Sequence, residues 1–212
     1  MNDPRLPLLT PAIKAVLPAP CQRWVEQFVN RLTDIFKGYR PASGWRVISK
    51  SILSASHSST IPPTLTAIGT NVYGWKYSAT ALNESWVSFQ IPRDVSFILE
   101  TEDGTVDPIT VFPVLNWASV GTNTGVARFG ITYSHAYPGN TLSTEATIYA
   151  EVTSSGTANQ IQVAEFAGIS SADFEPGSEI VCRVFRDAAH ANDTLTDDTF
   201  ILSADLIYYS DG

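Results

Sequence analysis

The sequence is short of charge, of histidine and cysteine, and of unbroken apolar runs. Only 16% of its residues are Asp, Glu, Lys or Arg, against roughly 25% in an average soluble domain. Ser, Thr and Asn carry the polar surface instead. With 13 Gly and 13 Pro, this composition favours a turn-rich sheet protein over a helical enzyme. The cysteines are Cys21 and Cys182, and the histidines are His57, His135 and His190. They form no CxxC and no Cys/His cluster, so a structural zinc lacks ligands. A disulfide between Cys21 and Cys182 stays open, but two buried thiols in a reducing cytosol is the expected state. No stretch is long enough to span a bilayer. The N-terminus is broken by Pro4, Pro7, Pro11, Pro18 and Pro20. It lacks the charged start and continuous apolar run of a signal peptide, so synthesis in the cytoplasm is expected. The charge that is present is one-sided, with a net −8 over 212 residues. Such a surface repels phosphate backbones and argues against a nucleic-acid partner.

What is there divides into two parts. Residues 1–43 read as an extended, Pro-punctuated arm followed by an amphipathic helix. In the arm, Leu6, Leu8, Leu9, Ile13, Val16 and Leu17 are apolar enough to dock on a partner. In the segment 21–37, Val25, Phe28, Leu32 and Ile35 recur at helical spacing, and Gly38 stops the run. That stripe faces either the chain's own sheet or copies of itself. From Trp45 onward the period is two. Val87, Phe89 and Ile91 alternate with Trp86, Ser88 and Gln90; Ile180, Cys182 and Val184 alternate with Val181, Arg183 and Phe185. Similar alternation runs through 127–133, 146–152 and 200–209, and less regular strands cover 45–49, 71–79, 95–102, 109–119 and 161–166. Turn signals separate them and helical crossovers are missing. Residues 44–212 are therefore expected to form an all-β antiparallel two-sheet sandwich. Strand number and loop style favour a jelly roll over an immunoglobulin-type sandwich.

One stretch concentrates chemistry. RDAAHANDTLTDDTF, residues 186–200, holds Arg186, Asp187, His190, Asn192, Asp193, Asp197 and Asp198. As a calcium loop counted from Asp187 it fails, because Asn192 occupies the position that demands Gly, and Ala189 and Ala191 occupy ligand positions. Its flanks read as antiparallel strands, so a polar connection is the expected role, with Arg186 and Asp187 at the strand end either pairing with each other's neighbours or clasping the loop.

The same region carries a family resemblance. Pro176-Gly177, the strand end from Arg183 to Asp187, Asp198-Thr199 and the acidic–apolar rhythm from Asp205 to Tyr209 resemble the closing segment of small structural proteins of tailed bacteriophages. VSFQIPRDV at 87–95 and PVLNWASVGTNTGVARFGITYSHA at 113–136 match earlier elements in order. The resemblance spans roughly residues 70–209 and leaves 1–43 outside. Such proteins are jelly-roll modules of head decoration or cement, fibre and tail-associated components, often trimers. The resemblance implies a virion component of head or tail whose partners are other capsid or tail subunits; the apolar arm and the helix, which lie outside it, are expected to anchor or trimerise the chain.

Enzymatic readings find little support in the residues. No phosphate loop, dinucleotide fingerprint or metal-binding His pair occurs, and no cofactor is expected. GTNTG at 121–125 has a nucleophile-elbow frame with Thr at its centre, and it joins two strands. His57, among hydroxyls in SASHSST, reads as a loop residue. Glu100, Glu102 and Asp103 in LETEDG could flank a glycosidic bond, but a hairpin end explains them equally. Five Trp and eight Tyr leave one further alternative, a tail fibre or tail-tip module whose exposed aromatics bind host cell-surface glycan. Sandwich cores also consume aromatics.

Overall fold

The computed structural model describes residues 44–68, 72–95, 98–100, 106–108, 110–170 and 174–210. The expected arm and helix lie outside these residues. Along the chain run β1 (Gly44–Ser51), a 3-10 turn (Ile52–Ser54), β2 (Ser56–His57), β3 (Thr64–Ala67), β4 (Tyr73–Tyr77) and β5 (Glu84–Gln90). Then come β6 (Ile98–Glu100), β7 (Val106–Pro108), β8 (Thr110–Ser119), β9 (Val126–Ala136) and β10 (Ala146–Thr153). The series closes with β11 (Ile161–Glu165), β12 (Ile169–Ser170), β13 (Glu179–Arg186) and β14 (Thr199–Ser210). The short strands β2, β3, β7 and β12 have no alternation long enough to read from sequence.

Two antiparallel sheets result, as the period-two pattern requires. The larger runs β11-β8-β14-β4-β3, with β1 also on β14 and β12 also on β8. The smaller runs β10-β9-β13-β5-β2. The separate pair β6 and β7 is antiparallel, Ile98 opposite Pro108. Glu102 and Asp103 fall between those two strands, outside the described residues.

Alternation puts one side of each strand in the core. Val87 and Phe89 on β5, Phe129 and Ile131 on β9, and Ile180, Cys182 and Val184 on β13 are buried against Leu115 and Trp117 on β8 and Leu206 on β14. The Trp117 and Phe129 rings meet across the two sheets, centroids 5.1 Å apart, a contact worth about 0.5–1.5 kcal/mol beyond area burial. Cys182 is a free, buried thiol, and burial pushes its pKa up to about 12. At that value it stays protonated and inert.

The alternation expected across 200–209 is broken at one place. The β14–β8 register shifts between Ile201 and Ser203. Ile201 therefore joins the core with Ala204, Leu206 and Tyr208. Phe200, expected on that inner face, takes the other one. There its ring lies against Gly74, where an added Cβ would come within 3.2 Å of it. A bulge of this kind adds one residue to a strand and inverts every later side chain.

Candidate functional site

The loop after β13 is built around one buried ion pair. The Arg186 side chain has no exposed surface and the Asp193 side chain almost none. Arg186 Nε donates to Asp193 Oδ2 at 2.9 Å and Nη2 to Oδ1 at 2.7 Å. Nη1 donates to the Asp197 carbonyl at 2.6 Å, and Nη2 also donates to the Leu195 carbonyl. One guanidinium thus fixes three points of the loop; of the two residues expected to clasp it, Arg186 does so and Asp187 lies against Arg128 instead. The remaining acids are held as well. Asp197 accepts from the Asn123 backbone at 2.9 Å and its amide at 2.6 Å. Asp198 meets Lys76 Nζ at 2.8 Å and accepts from the Ala79 N–H at 2.9 Å. Burial of Asp198 favours its neutral form, but the Lys76 and Ala79 hydrogen bonds and the charges of Lys76 and Arg186 outweigh it and lower the pKa. Asp187 lies 3.2 Å from Arg128 Nε, with the N–H not aimed at the oxygen, so that contact is electrostatic. Arg128 also pairs with Glu151 at 2.9 Å and sits 4.0 Å from the Tyr149 ring centre. His190 Nδ1 is 3.2 Å from Arg128 Nη1. Among the described residues no three His, Cys, Asp or Glu converge to hold a metal ion.

His57 departs from its expected loop position. It lies in β2, its ring 4.1 Å from that of Trp75, and its Nδ1 is 2.8 Å from Ser85 Oγ. Tyr77 Oη closes the chain on the same hydroxyl. A serine–histidine contact is the core of many hydrolases, but this Ser85 is fully buried, and His57 Nε2 has no hydrogen-bond partner to orient it. The group reads as a tie between β2, β4 and β5. Burial lowers the His57 pKa. The unfolded chain, with a histidine near pH 6.5, therefore takes up its proton first as pH falls. Stability is expected to drop as pH goes from about 6.5 toward the depressed folded value, and to level off below it. Urea midpoints measured across that window should show the slope in the parent chain and lose it in His57→Asn; an unchanged slope would count against the assignment.

The outer face of the larger sheet holds an aromatic cluster with Trp45 exposed and Phe112 and Tyr209 half-buried. Trp45 pairs in register with Tyr209, and Val47 with Ile207, which in turn pairs with Phe112. The Trp45 ring packs edge-on against Phe112 and Tyr209, at 5.9 and 5.5 Å. Trp45 and Val47 are each 58% exposed. Beyond it a polar strip crosses the sheet, where Asn116 and Ser49 both donate to Asp205 at 2.6 Å. Ile161 and Val163, 64% and 47% exposed, follow on the edge strand β11.

The outer face of the smaller sheet carries a hollow of about 360 Å³. Ser134, Val181 and Arg183 form its floor, Trp86 lines it, and the loop after β9 adds Leu142 and Glu145. That loop turns at Gly139, φ +97°, and is pinned back on β9. Ser134 Oγ donates to the Ser143 carbonyl at 2.7 Å, and the His135 N–H to Ser143 Oγ at 3.1 Å.

The expected contact residues Leu6, Leu8, Leu9, Ile13, Val16, Leu17, Val25, Phe28, Leu32 and Ile35 all lie outside the described residues, as does Cys21. Glu100 lies on β6. Of the aromatics in YGWKY, Tyr73 is exposed, Trp75 is half-buried and Tyr77 is buried. Sequence reasoning did not single out Trp45, Phe112, Tyr209, Ser85 or the hollow, because their neighbours come from distant strands. No helix of the described residues is long and apolar enough to cross a membrane.

The fold defines an antiparallel two-sheet β-sandwich. No family model matches the chain, and no curated protein matches its sequence. Distant likenesses appear among solved structures. A chain in the structure of the infectious bursal disease virus Gx strain is 13% identical, TM-score 0.39, over 81% of this chain and 33% of that one. The catalytic unit of the GH87 α-1,3-glucanase from Streptomyces thermodiastaticus is 9% identical, TM-score 0.33, over 78% and 26%. This chain thus spans about a third of the length of the first. Likeness at these scores carries no function.

Proposed function

We propose that the chain is a non-enzymatic virion structural protein, a head-decoration, cement or head-fibre component built on a jelly roll. The observation that carries the attachment reading is exposed Trp45 and Val47 on half-buried Phe112 and Tyr209, since exposed apolar surface marks protein contacts. It sits at the start of β1, next in sequence to residues 1–43, whose apolar side chains are expected to dock on a partner. The jelly-roll reading draws on strand order. The chain passes β4, β5, β8, β9, β10, β11, β13 and β14, crossing between sheets, and leaves β11-β8-β14-β4 facing β10-β9-β13-β5, the arrangement of two nested Greek keys. The non-enzymatic reading draws on the loop acids, which are spent on Arg186, Lys76 and Asn123. A decoration protein works by burying surface across shell subunits, which stabilises the assembled state by mass action. Closed symmetry is the general expectation, and the resemblance to phage modules favours a trimer.

Removing residues 1–20 is expected to abolish co-sedimentation with virions while the remaining chain keeps a cooperative thermal transition. Attachment that survived the truncation would sink the arm's role. Electron cryo-microscopy of the intact virion should find copies across the shell; a few copies at the tail would move the reading to a tail-associated, host-glycan-binding module. The specific support for that second reading is the hollow beside Trp86.

A further inference from the structure

We infer that the hollow on the smaller sheet is a binding subsite for a single neutral pyranose ring. This rests on the glycan-binding reading and is independent of shell attachment. Its volume of about 360 Å³ lies at the lower end of the roughly 300–1,000 Å³ range of ligand sites. That suits one sugar ring and is small for a peptide or nucleotide. Its lining has the dual character that a sugar needs. Trp86, Leu142 and Val181 supply apolar surface for the C–H face of the ring. Ser134, Glu145 and Arg183 supply polar groups for its hydroxyls.

The charge pattern selects neutral over anionic sugars. Arg183 is already engaged, with Nη1 donating to Glu84 at 2.9 Å and Nη2 to Thr132 Oγ1 at 3.0 Å. Its guanidinium also lies 5.1 Å from the Phe185 ring centre. The cation is neutralised by its partner, while the exposed Glu145 adds negative charge to the lining. A carboxylate or phosphate ligand would meet net repulsion in a chain of charge −8. Glu145 is free to accept from a vicinal diol, and guanidinium hydrogens beyond those two bonds can donate to ring hydroxyls. The wall is preorganised, because the Ser134–Ser143 contacts hold the loop before any ligand arrives, which lowers the ordering cost of binding.

The test uses the full chain, ligand-observed saturation-transfer NMR and amide spectra of the nitrogen-15-labelled protein, with the methyl glycosides of glucose, galactose, mannose and N-acetylglucosamine. At least one should bind, with backbone amide shifts confined to residues 132–134, 142–145 and 181–183. Trp86→Ala should weaken it by about tenfold, as loss of an aromatic stacking platform does. Glu145→Gln should weaken it by a smaller factor without changing thermal stability, since the side chain is exposed. Binding that ignores both variants would overturn the site while leaving glycan binding standing. Absence of binding by all four glycosides would overturn both.

Discussion

Arg186→Met is expected to lower unfolding stability by about 3–5 kcal/mol, the usual result of removing one partner from a buried ion pair. Methionine retains much of the aliphatic length, so packing changes little. What is lost is the set of donors to Asp193, Leu195 and Asp197. Among the described residues, the buried Asp193 carboxylate would then keep one donor, the backbone N–H of Arg128 at 3.0 Å. Restoring neutrality in Arg186→Met with Asp193→Asn should recover part of the loss, because the uncompensated charge disappears. Urea unfolding with an unchanged m-value measures both. A loss under about 1 kcal/mol would mean that the pair behaves like an exposed surface bridge, and the clasp would have to be abandoned.

The second large effect is expected at Gly125→Ala, about 1–3 kcal/mol from forced overpacking. A Cβ there would lie 2.4 Å from the Thr194 carbonyl oxygen and 2.7 Å from the Leu195 Cα. Both are backbone atoms and cannot swing aside. They are also anchored, since the Thr194 and Leu195 N–H groups donate to the Val126 carbonyl at 2.8 and 2.9 Å. The substitution must lift the loop that Arg186 holds from the other side. The double variant with Arg186→Met should therefore cost less than the sum of the singles. Gly139→Ala is the control, with nothing within 4 Å of its Cβ. Its penalty comes from the left-handed backbone alone, about 1–2 kcal/mol, and it should add to Arg186→Met without coupling. A Gly125→Ala chain as stable as its parent would show that the loop yields at no cost.

The pattern of residues 44–210 was legible where strands are long and one-sided. Val87 and Phe89, or Ile180, Cys182 and Val184, declare the buried side because period two leaves no other choice. The bulge near Leu202 was not legible, since an extra residue in a continuous apolar run has no signature of its own. The Arg186 clasp could be read in outline because Asp193 lies in the same stretch. Its other acceptors, the carbonyls of Leu195 and Asp197, are backbone atoms that every residue carries. GTNTG was readable as a strand-joining turn, but its last glycine serves an approach by Thr194 that only the fold creates. The Trp45 patch and the Trp86 hollow were invisible for a further reason. Each gathers side chains from separate strands, so the pairing register, rather than local spacing, makes them neighbours. His57 was misjudged because Ser85 and Trp75 reach it through the sheets.

The position of β14 has a consequence for synthesis. It is hydrogen-bonded to β1, β4 and β8, yet it follows all of them along the chain. During translation those three strands emerge with no partner at the centre of their sheet. The edge of β8 that β14 covers must stay unpaired until residues beyond Thr199 have left the ribosome. Pairing between Gly44 and Ser210 then closes nearly the whole described chain in one step, a slow, non-local event. Nascent chains stalled before β14 are expected to need a chaperone and to aggregate without one.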